Sequence, residues 1–219
     1  MTDYKIILPD KSTNLKKIAE CRIAAFPHSL SSKLGTEFVS KMLSMYVEKN
    51  NFIITVESDD ECMGFVTALV PENEHSCSTR ESINFTFNDL LKGLIRKPWL
   101  FLHPVILREY KVGLEMLRKK FKGNFKQLQT DAPDLTKLSP EIINSVGLID
   151  IAVQPKYQGK GYGSILLNAF ENHCRQIGKH KMHLSVKPDN YNAIQSYKKN
   201  GWILFLSEQK QFNFYKEIS

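Results

Sequence analysis

The sequence predicts a mixed α/β protein in which short strands and amphipathic helices belong to one fold. Three observations lead to this prediction. Runs rich in β-branched and aromatic residues lie in both halves of the chain. Stretches with apolar residues at helical spacing lie between these runs. The middle of the chain, residues 71–146, has helical spacing and several prolines, and strand patterns resume directly after it.

The first half of the chain contains three predicted strands and two predicted helices. Asn14 is a suitable N-cap for the first helix, and Pro27 ends that helix. The polar run 58–61 separates the second and third strands, so we expect these strands to form a hairpin. In chain order the elements are a strand at Tyr4–Leu8, helices at 14–26 and Leu34–Glu48, and strands at Phe52–Glu57 and Met63–Val70.

Residues 71–146 are predicted to form a helical insertion within a single domain that spans residues 1–219. Helical spacing runs through 85–95 and 105–121, and 131–140 is a proline-containing loop. The net charge of +7 comes from this region, because residues 92–126 hold ten of the 30 basic residues and two of the 23 acidic ones. Such a segment suits a polyanionic partner, an acidic substrate or a solvated helix face.

The second half returns to alternating strands and helices. Apolar residues alternate with polar ones at residues 182–186, as expected for a strand with one buried face. In chain order the elements are a strand at Leu148–Val153, a helix at Gly161–Ile177, a strand at Met182–Val186, a helix at Asn190–Lys199, and strands at Trp202–Leu206 and Gln211–Lys216.

The composition excludes several classes of protein. With 42% hydrophobic and 24% charged residues, the chain is neither a disordered tail nor a collagen-like fibre nor a disulfide-dense miniprotein. Its four cysteines are far apart, which favours reduced, buried thiols. No apolar run approaches the roughly 20 residues that cross a bilayer, and the first residues do not resemble a secretory signal. We therefore expect a cytoplasmic protein.

The glycine-rich turn after the strand at 148–153 is the feature most informative about chemistry. Gly159, Gly161 and Gly163 lie between this strand and the next helix. Glycines let the backbone approach a ligand closely, and the N–H groups of a helix N-terminus attract phosphate. A tight strand-to-helix turn without a ligand is the alternative. The spacing is neither that of a P-loop nor that of a Rossmann dinucleotide site.

Two motifs together resemble the GNAT family of N-acetyltransferases. The run Gln158-Gly-Lys-Gly161-Tyr-Gly163 is similar to the Q/R-x-x-G-x-G/A signature of that family. The run from Val186 to Trp202, which contains Asn190, Ala193, Tyr197 and Gly201, is similar to the ending V…N-x-x-A-x-x-x-Y-x-x-x-G-F. The resemblance implies a GNAT fold: a mixed, mostly antiparallel twisted sheet flanked by helices, here with a helical insertion between the third and fourth strands.

The resemblance also implies a reaction, the transfer of an acetyl group from acetyl-CoA to a primary amine. It assigns the CoA pyrophosphate to the glycine turn, the pantetheine arm to a gap between the strands at 148–153 and 182–186, and proton donation to the leaving thiolate to Tyr197. Packing is the alternative role for Tyr197, and a solvated loop lysine is the alternative for Lys160. The cofactor-binding residues implied are Ile151, Ala152, Val153, Gln158, Gly159, Lys160, Gly161, Tyr162, Gly163 and Asn190.

The general base is not assigned by the resemblance. Many relatives have a glutamate at the position of Gly147 or Ile149, neither of which can take a proton. In a regular strand, the side chain of Asp150 would lie on the opposite face from those of Ile149 and Ile151. The base is therefore Asp150 after a bulge, a residue of the insertion such as His103 or Glu109, or water.

The acceptor implied is a small-molecule amine, and the basic insertion suits an anionic one such as an amino sugar or an amino-sugar nucleotide. A protein or peptide N-acetyltransferase is one alternative, and a non-enzymatic nucleic-acid-binding protein that uses residues 92–126 is another. The six histidines form no metal signature, so each is expected to be structural and no metal is expected. We expect acetyl-CoA and the amine as partners, no membrane and no specific nucleic acid; a homodimer is compatible with the sequence.

Overall fold

Seven strands form one sheet in the order β1–β2–β3–β4–β5–β7–β6. The structure is a computed structural model that describes residues 3–48, 51–58, 61–71, 89–107 and 144–218. The strands are β1 (Lys5–Ile7), β2 (Phe52–Glu57), β3 (Cys62–Leu69), β4 (Val146–Val153), β5 (Lys181–Val186), β6 (Ile203–Ser207) and β7 (Phe212–Glu217). Only the β4–β5 pair is parallel among these seven strands, and every other pair is antiparallel. The predicted mixed, mostly antiparallel fold class is confirmed.

Five helices are described from end to end, and short 3₁₀ turns accompany them. The helices are α1 (Lys16–Ala25), α2 (Leu30–Leu34), α3 (Thr36–Ser44), α4 (Tyr162–Gln176) and α5 (Tyr191–Lys199). Turns of 3₁₀ helix lie at Met45–Val47, Pro98–Leu102 and Pro155–Tyr157. Residues 89–96 and 104–107 are also helical.

The prediction of a single helix at Leu34–Glu48 is wrong at its N-terminal end. The structure has two helices here, α2 and α3, because Gly35 adopts a φ of +108° between them. A residue with a side chain rarely adopts this conformation, so the chain turns at a position that favours glycine. Ser29 caps the additional helix, since its side chain accepts a hydrogen bond from the Ser32 backbone N–H.

Two apolar cores lie on opposite faces of the sheet. On one face, Leu166, Phe170 and Cys174 of α4 pack against alternate residues of the central strands. On the other face, α1 and α3 pack against β2, β3 and the end of β4 through residues such as Ile18 and Leu43. Cys21, Cys62 and Cys174 are buried, as expected for reduced thiols, and Cys77 lies outside the described residues. The sheet therefore separates the core under α4 from the core under α1 and α3.

The described part of the insertion, residues 89–107, contacts α2 and α3. Lys41 and Asp89 form an ion pair of 2.7 Å. Lys97 Nζ donates to the backbone carbonyls of Lys33 and Leu34, at 2.8 and 3.3 Å. These carbonyls end α2, where a cation is favourable. Lys97 thus anchors the insertion on the face of the sheet that α1 and α3 cover.

The remaining expectations for the insertion are not tested here. The helix predicted at 105–121 and the loop at 131–140 lie wholly or mainly outside the described residues. The single domain at 1–219 with an insertion at 71–146 stays a prediction. In the part of the chain that the structure describes, no helix is long and apolar enough to span a membrane.

Candidate active site

Strands β4 and β5 separate partway along their length. Three residue pairs connect them: Val146 with Met182, Gly147 with His183, and Leu148 with Leu184. Beyond Leu148 the described β4 continues through 149–153 without pairing to β5. At about 3.3 Å per residue, five residues leave a gap roughly 16 Å long. The gap is closed at Leu148 and open toward the glycine turn that follows β4.

A β-bulge at Ile149 sets the direction of the β4 side chains along this gap. Thr67 of β3 pairs with Asp150 and Ala68 pairs with Leu148, so Ile149 has no partner on β3. The extra residue reverses the alternation. Consequently Ile151 packs with the α4 core, whereas Asp150 faces the α1 side, where Arg22 contacts it.

The glycine turn lies at the open end of the gap and at the N-terminus of α4. Gly159 and Gly161 have φ values of +73° and +88°, and Gly161 is the N-cap residue of α4. A Cβ added at Gly159, Gly161 or Gly163 would have no atom within 4 Å, so the turn borders open space. The first backbone N–H groups of a helix have no partner inside it, and they attract an anion. This geometry suits a phosphate or pyrophosphate group.

A hydrogen-bond network around Glu61 holds the turn that precedes these glycines. Glu61 accepts hydrogen bonds from Lys156 Nζ at 2.7 Å and from the Tyr157 hydroxyl, and Gln154 Nε2 lies 3.4 Å from its other oxygen. Gln154 also donates to the Cys62 carbonyl at 2.6 Å. The network therefore joins the beginning of β3 to the 3₁₀ turn after β4.

The charges in this network stabilise one another. The hydrogen bond from Lys156 lowers the pKa of the Glu61 carboxyl, with a further contribution from Tyr157. In return, the hydrogen bond to Glu61 raises the pKa values of Lys156 and of Tyr157. Lys156 and Lys160 both place their ammonium groups near the Tyr157 ring, at 5.1 and 5.4 Å from its centroid. Two cations are thus held beside the glycine turn.

Tyr197 lies in the core between α5 and the sheet. Its ring is 7% exposed and lies 6.1 Å from Trp202 and 5.9 Å from Phe214. Burial raises the pKa of Tyr197 to about 12, with a smaller contribution from the charge of Asp150. The phenol is therefore protonated at neutral pH. Packing and proton donation are both compatible with this position.

Comparisons with known proteins agree with this geometry. Residues 141–202 match the family model described as "Acetyltransferase (GNAT) family". This segment contains β4, the glycine turn, α4, β5 and α5. Residues 141–202 are therefore similar to the GNAT acetyltransferases. No curated protein matches the chain in sequence.

Solved structures share the GNAT fold at low sequence identity. PaiA N-acetyltransferase from Thermoplasma acidophilum, in complex with coenzyme A, superposes with a TM-score of 0.56 at 12% identity and covers 99% of this chain and 100% of its own. The ribosomal-protein-S18-alanine N-acetyltransferase of Escherichia coli gives 0.55 at 12% identity, with 99% and 95% covered. The acetyltransferase YncA of Salmonella typhimurium, with acetyl-CoA, gives 0.54 at 12%, with 99% and 94% covered.

Several expected cofactor-binding residues of the GNAT motif lie along the gap and the turn. Gln158 Nε2 donates to the Val153 carbonyl at 3.0 Å, which joins the turn to the end of β4. The Tyr162 side chain is 2% exposed and packs on Tyr157, so only its backbone N–H is available to a ligand. Asn190 caps α5 by accepting from the Ala193 N–H at 3.3 Å. The binding roles of these residues stay predictions.

The structure describes two of the three candidate general bases, Asp150 and His103. Asp150 follows a bulge, as one alternative required, but its Oδ2 accepts from Arg22 Nε at 2.9 Å. Arg22 also donates to Ser31 Oγ at 2.7 Å. His103 Nε2 lies 3.1 Å from the His28 carbonyl, and Glu109 lies outside the described residues.

His183, which the sequence analysis expects to be structural, lies at the closed end of the β4–β5 gap. It pairs with Gly147 at the closed end of the β4–β5 gap, and its Nδ1 lies 2.6 Å from Ser145 Oγ. Burial lowers its pKa to about 4, so the imidazole is neutral at pH 7. Gly147 of β4 pairs with His183 of β5, and the absence of a side chain at this glycine leaves room for the imidazole ring. In the described residues, no group of three or more His, Cys, Asp or Glu side chains could bind a metal.

Proposed function

We propose that this protein transfers the acetyl group of acetyl-CoA to a primary amine of a small molecule by direct attack. The observation that supports this function best is the gap between β4 and β5, which leads from the glycine turn into the sheet. The open space at the glycine turn and the unpaired stretch of β4 behind it suit a CoA thioester. The GNAT match over 141–202 supports the same reaction.

In the proposed complex, the backbone N–H groups between Gln158 and Gly163 bind the pyrophosphate, and Lys156 and Lys160 lie beside it. The pantetheine arm occupies the gap, where residues 151–153 of β4 have no partner on β5. A backbone N–H of the unpaired β4 stretch that ends at Val153 donates to the thioester carbonyl, where negative charge grows as the amine attacks. Tyr197 then protonates the leaving thiolate, a role that suits a phenol kept neutral by burial.

Thermal unfolding with ligands tests the cofactor. CoA or acetyl-CoA at 100 times its Kd should raise the melting temperature by about 5–10 °C, whereas NAD and ATP should not. Gly161→Ala should weaken this shift, because a Cβ at φ +88° strains the turn and occupies the open space there. Gly178→Ala is the matched control: its φ is +70°, its surroundings are equally open, and it lies at the other end of α4. No shift in the native protein would rule out the proposed function.

For the acceptor, we propose an anionic amine such as an amino sugar or an amino-sugar nucleotide. The support is the charge of residues 92–126, ten basic against two acidic, and the attachment of 89–107 on the side of the sheet opposite α4. An acceptor that approaches from this side passes the insertion. A thiol-release assay with an amino-sugar nucleotide, glucosamine, spermidine and a peptide compares the classes; a preference for the peptide would favour a protein acetyltransferase.

A further inference from the structure

The closed end of the β4–β5 gap holds a histidine that the GNAT motifs do not assign. We propose that His183 is the general base of this enzyme and that its Nε2 takes the proton from the attacking amine. This inference rests on the proposed function, and it concerns a residue outside both motif positions where relatives have a glutamate. Three features of the structure support it: position, orientation and access.

Position is the first feature. A pantetheine arm that enters at the glycine turn passes along 149–153 and stops where β4 and β5 meet, at Leu148 and Leu184. The thioester at the tip of the arm therefore reaches the closed end of the gap. His183 is the next residue of β5 beyond Leu184, so it lies beside that end.

Orientation is the second feature. Ser145, which is 4% exposed, holds Nδ1 of His183 at 2.6 Å. A Cβ at Gly147 would lie 3.2 Å from both Cε1 and Nε2 of the ring, so the ring lies over the glycine of β4. The hydrogen bond fixes one nitrogen and leaves the other for a ligand. Because burial keeps the ring neutral, Nε2 has a lone pair when Nδ1 carries the proton.

Access is the third feature. The neighbours of His183 on β5, Met182 and Leu184, belong to the core under α4, so His183 points to the opposite face. The glycine turn and α4 belong to the CoA side, and an amine that meets the thioester from the other side meets His183. Asp150 lies on that face as well, but Arg22 occupies its Oδ2. His183 has no such charged partner among the described residues.

The proposed step balances without a further reagent. The amine nitrogen forms a bond to the thioester carbonyl carbon, and one of its protons passes to His183 Nε2. The carbon–sulfur bond then breaks, Tyr197 gives its proton to the sulfur, and the amide and CoA thiol leave. Solvent returns a proton to the Tyr197 phenolate, and the imidazolium loses one to solvent.

His183→Gln tests the proposal, because glutamine retains a hydrogen-bonding side chain but cannot take up a proton. With acetyl-CoA and the best amine of the panel, kcat should fall by about 100-fold or more, while the KM of acetyl-CoA and the melting shift with CoA stay unchanged. His183→Ala should regain turnover when imidazole is added, which a merely structural role would not produce. His180→Gln is the matched control, since His180 precedes β5 and contacts the Ile218 carbonyl.

The possible outcomes distinguish a failure of this proposal from a failure of the proposed acetyltransferase function. A His183→Gln variant that binds CoA and keeps kcat within about threefold of the native value would overturn the role of His183 and leave the acetyltransferase intact. A folded, inactive His183→Ala variant that imidazole does not rescue would also overturn it. If the native protein shows neither thiol release with any amine nor a melting shift with CoA, both the proposed function and the role of His183 are wrong. As a readout without an acceptor, the NMR signal of His183 Cε1–H should move when CoA is added, whereas that of His180 should not.

Discussion

Tyr197 belongs to the core of the protein and is also the expected proton donor of the reaction. Its ring contacts with Trp202 and Phe214 are those of a packed core residue. The same burial raises its pKa to about 12, which keeps the proton on the phenol until an acceptor more basic than water is formed. In the proposed reaction, the leaving thiolate of CoA is such an acceptor. Packing and catalysis therefore require the same environment, and only the hydroxyl distinguishes them.

Tyr197→Phe separates the two roles because phenylalanine retains the ring. We expect kcat to fall by about 10- to 100-fold, while the melting temperature and the affinity for CoA change little. Steady-state kinetics and thermal unfolding measure these quantities side by side. The native enzyme should show no loss of kcat from this phenol below about pH 10, since its pKa lies near 12. Unchanged turnover in the variant would assign Tyr197 to packing alone.

The turn between β4 and α4 is held by a residue that lies outside both elements. Glu61 lies just before β3, yet its carboxylate accepts hydrogen bonds from Lys156 and Tyr157 after β4. Because the hydrogen bond from Lys156 lowers the pKa of Glu61, the carboxylate that accepts these hydrogen bonds stays ionised to a lower pH than an isolated glutamate would. A loop that must present backbone N–H groups to a pyrophosphate gains orientation from such a contact.

Glu61→Gln removes the charge from this network and keeps most of its shape. We expect the KM of acetyl-CoA to rise about three- to tenfold with a smaller change in kcat, because binding of the cofactor is affected before the chemistry. Glu217→Gln removes another ion pair, that of Lys181 and Glu217 at 3.1 Å, and provides the control for a lost surface charge. Equal changes in KM for both variants would show that Glu61 does not position the turn.

Local sequence patterns predicted most elements because each pattern coincides with a physical boundary. The strand at Phe52–Glu57 was predicted at both ends, and α5 begins directly after the cap Asn190, as its sequence indicates. The bulge at Ile149 could not be predicted, since it depends on the pairing with β3 and leaves no local signal. The break at Gly35 was missed because the apolar spacing continues across it.

The topology of the whole sheet explains why the sequence motifs indicate one half of the proposed site and not the other. The proposed CoA side consists of consecutive residues, 158–163, so its glycines are close together in the sequence. The proposed acceptor side depends on two pairs that are distant in sequence, Arg22 with Asp150 and Ser145 with His183. Their proximity arises only when β4 lies between β3 and β5. A sequence pattern of fixed spacing cannot describe such an assembly.

The stability of the whole molecule should depend on the histidines below pH 7. Burial lowers the pKa values of His183 and His173, so the unfolded chain binds more protons than the native one between their native pKa values and about 6.5. Stability is then complete above pH 7 and decreases as the pH falls. The groups on the same face of the sheet as His183 are Ser145, Tyr215 of β7 and the Asp150–Arg22 ion pair. The ion pair has one negative and one positive charge, so its net charge is zero.

For His183 alone, a native pKa of about 4 corresponds to a loss of about 2 kcal/mol between pH 7 and pH 5. Urea unfolding at pH 5, 6 and 7 measures this loss as a decrease in the free energy of unfolding. His183→Gln should be less stable at pH 7 and should lose less stability between pH 7 and pH 5, whereas His180→Gln should follow the native curve. Parallel curves for the native protein and His183→Gln would mean that the imidazole is not buried in its neutral form. In that case the imidazole at the closed end of the gap is exposed to water, and its Nε2 would already be protonated in part at the pH of the reaction.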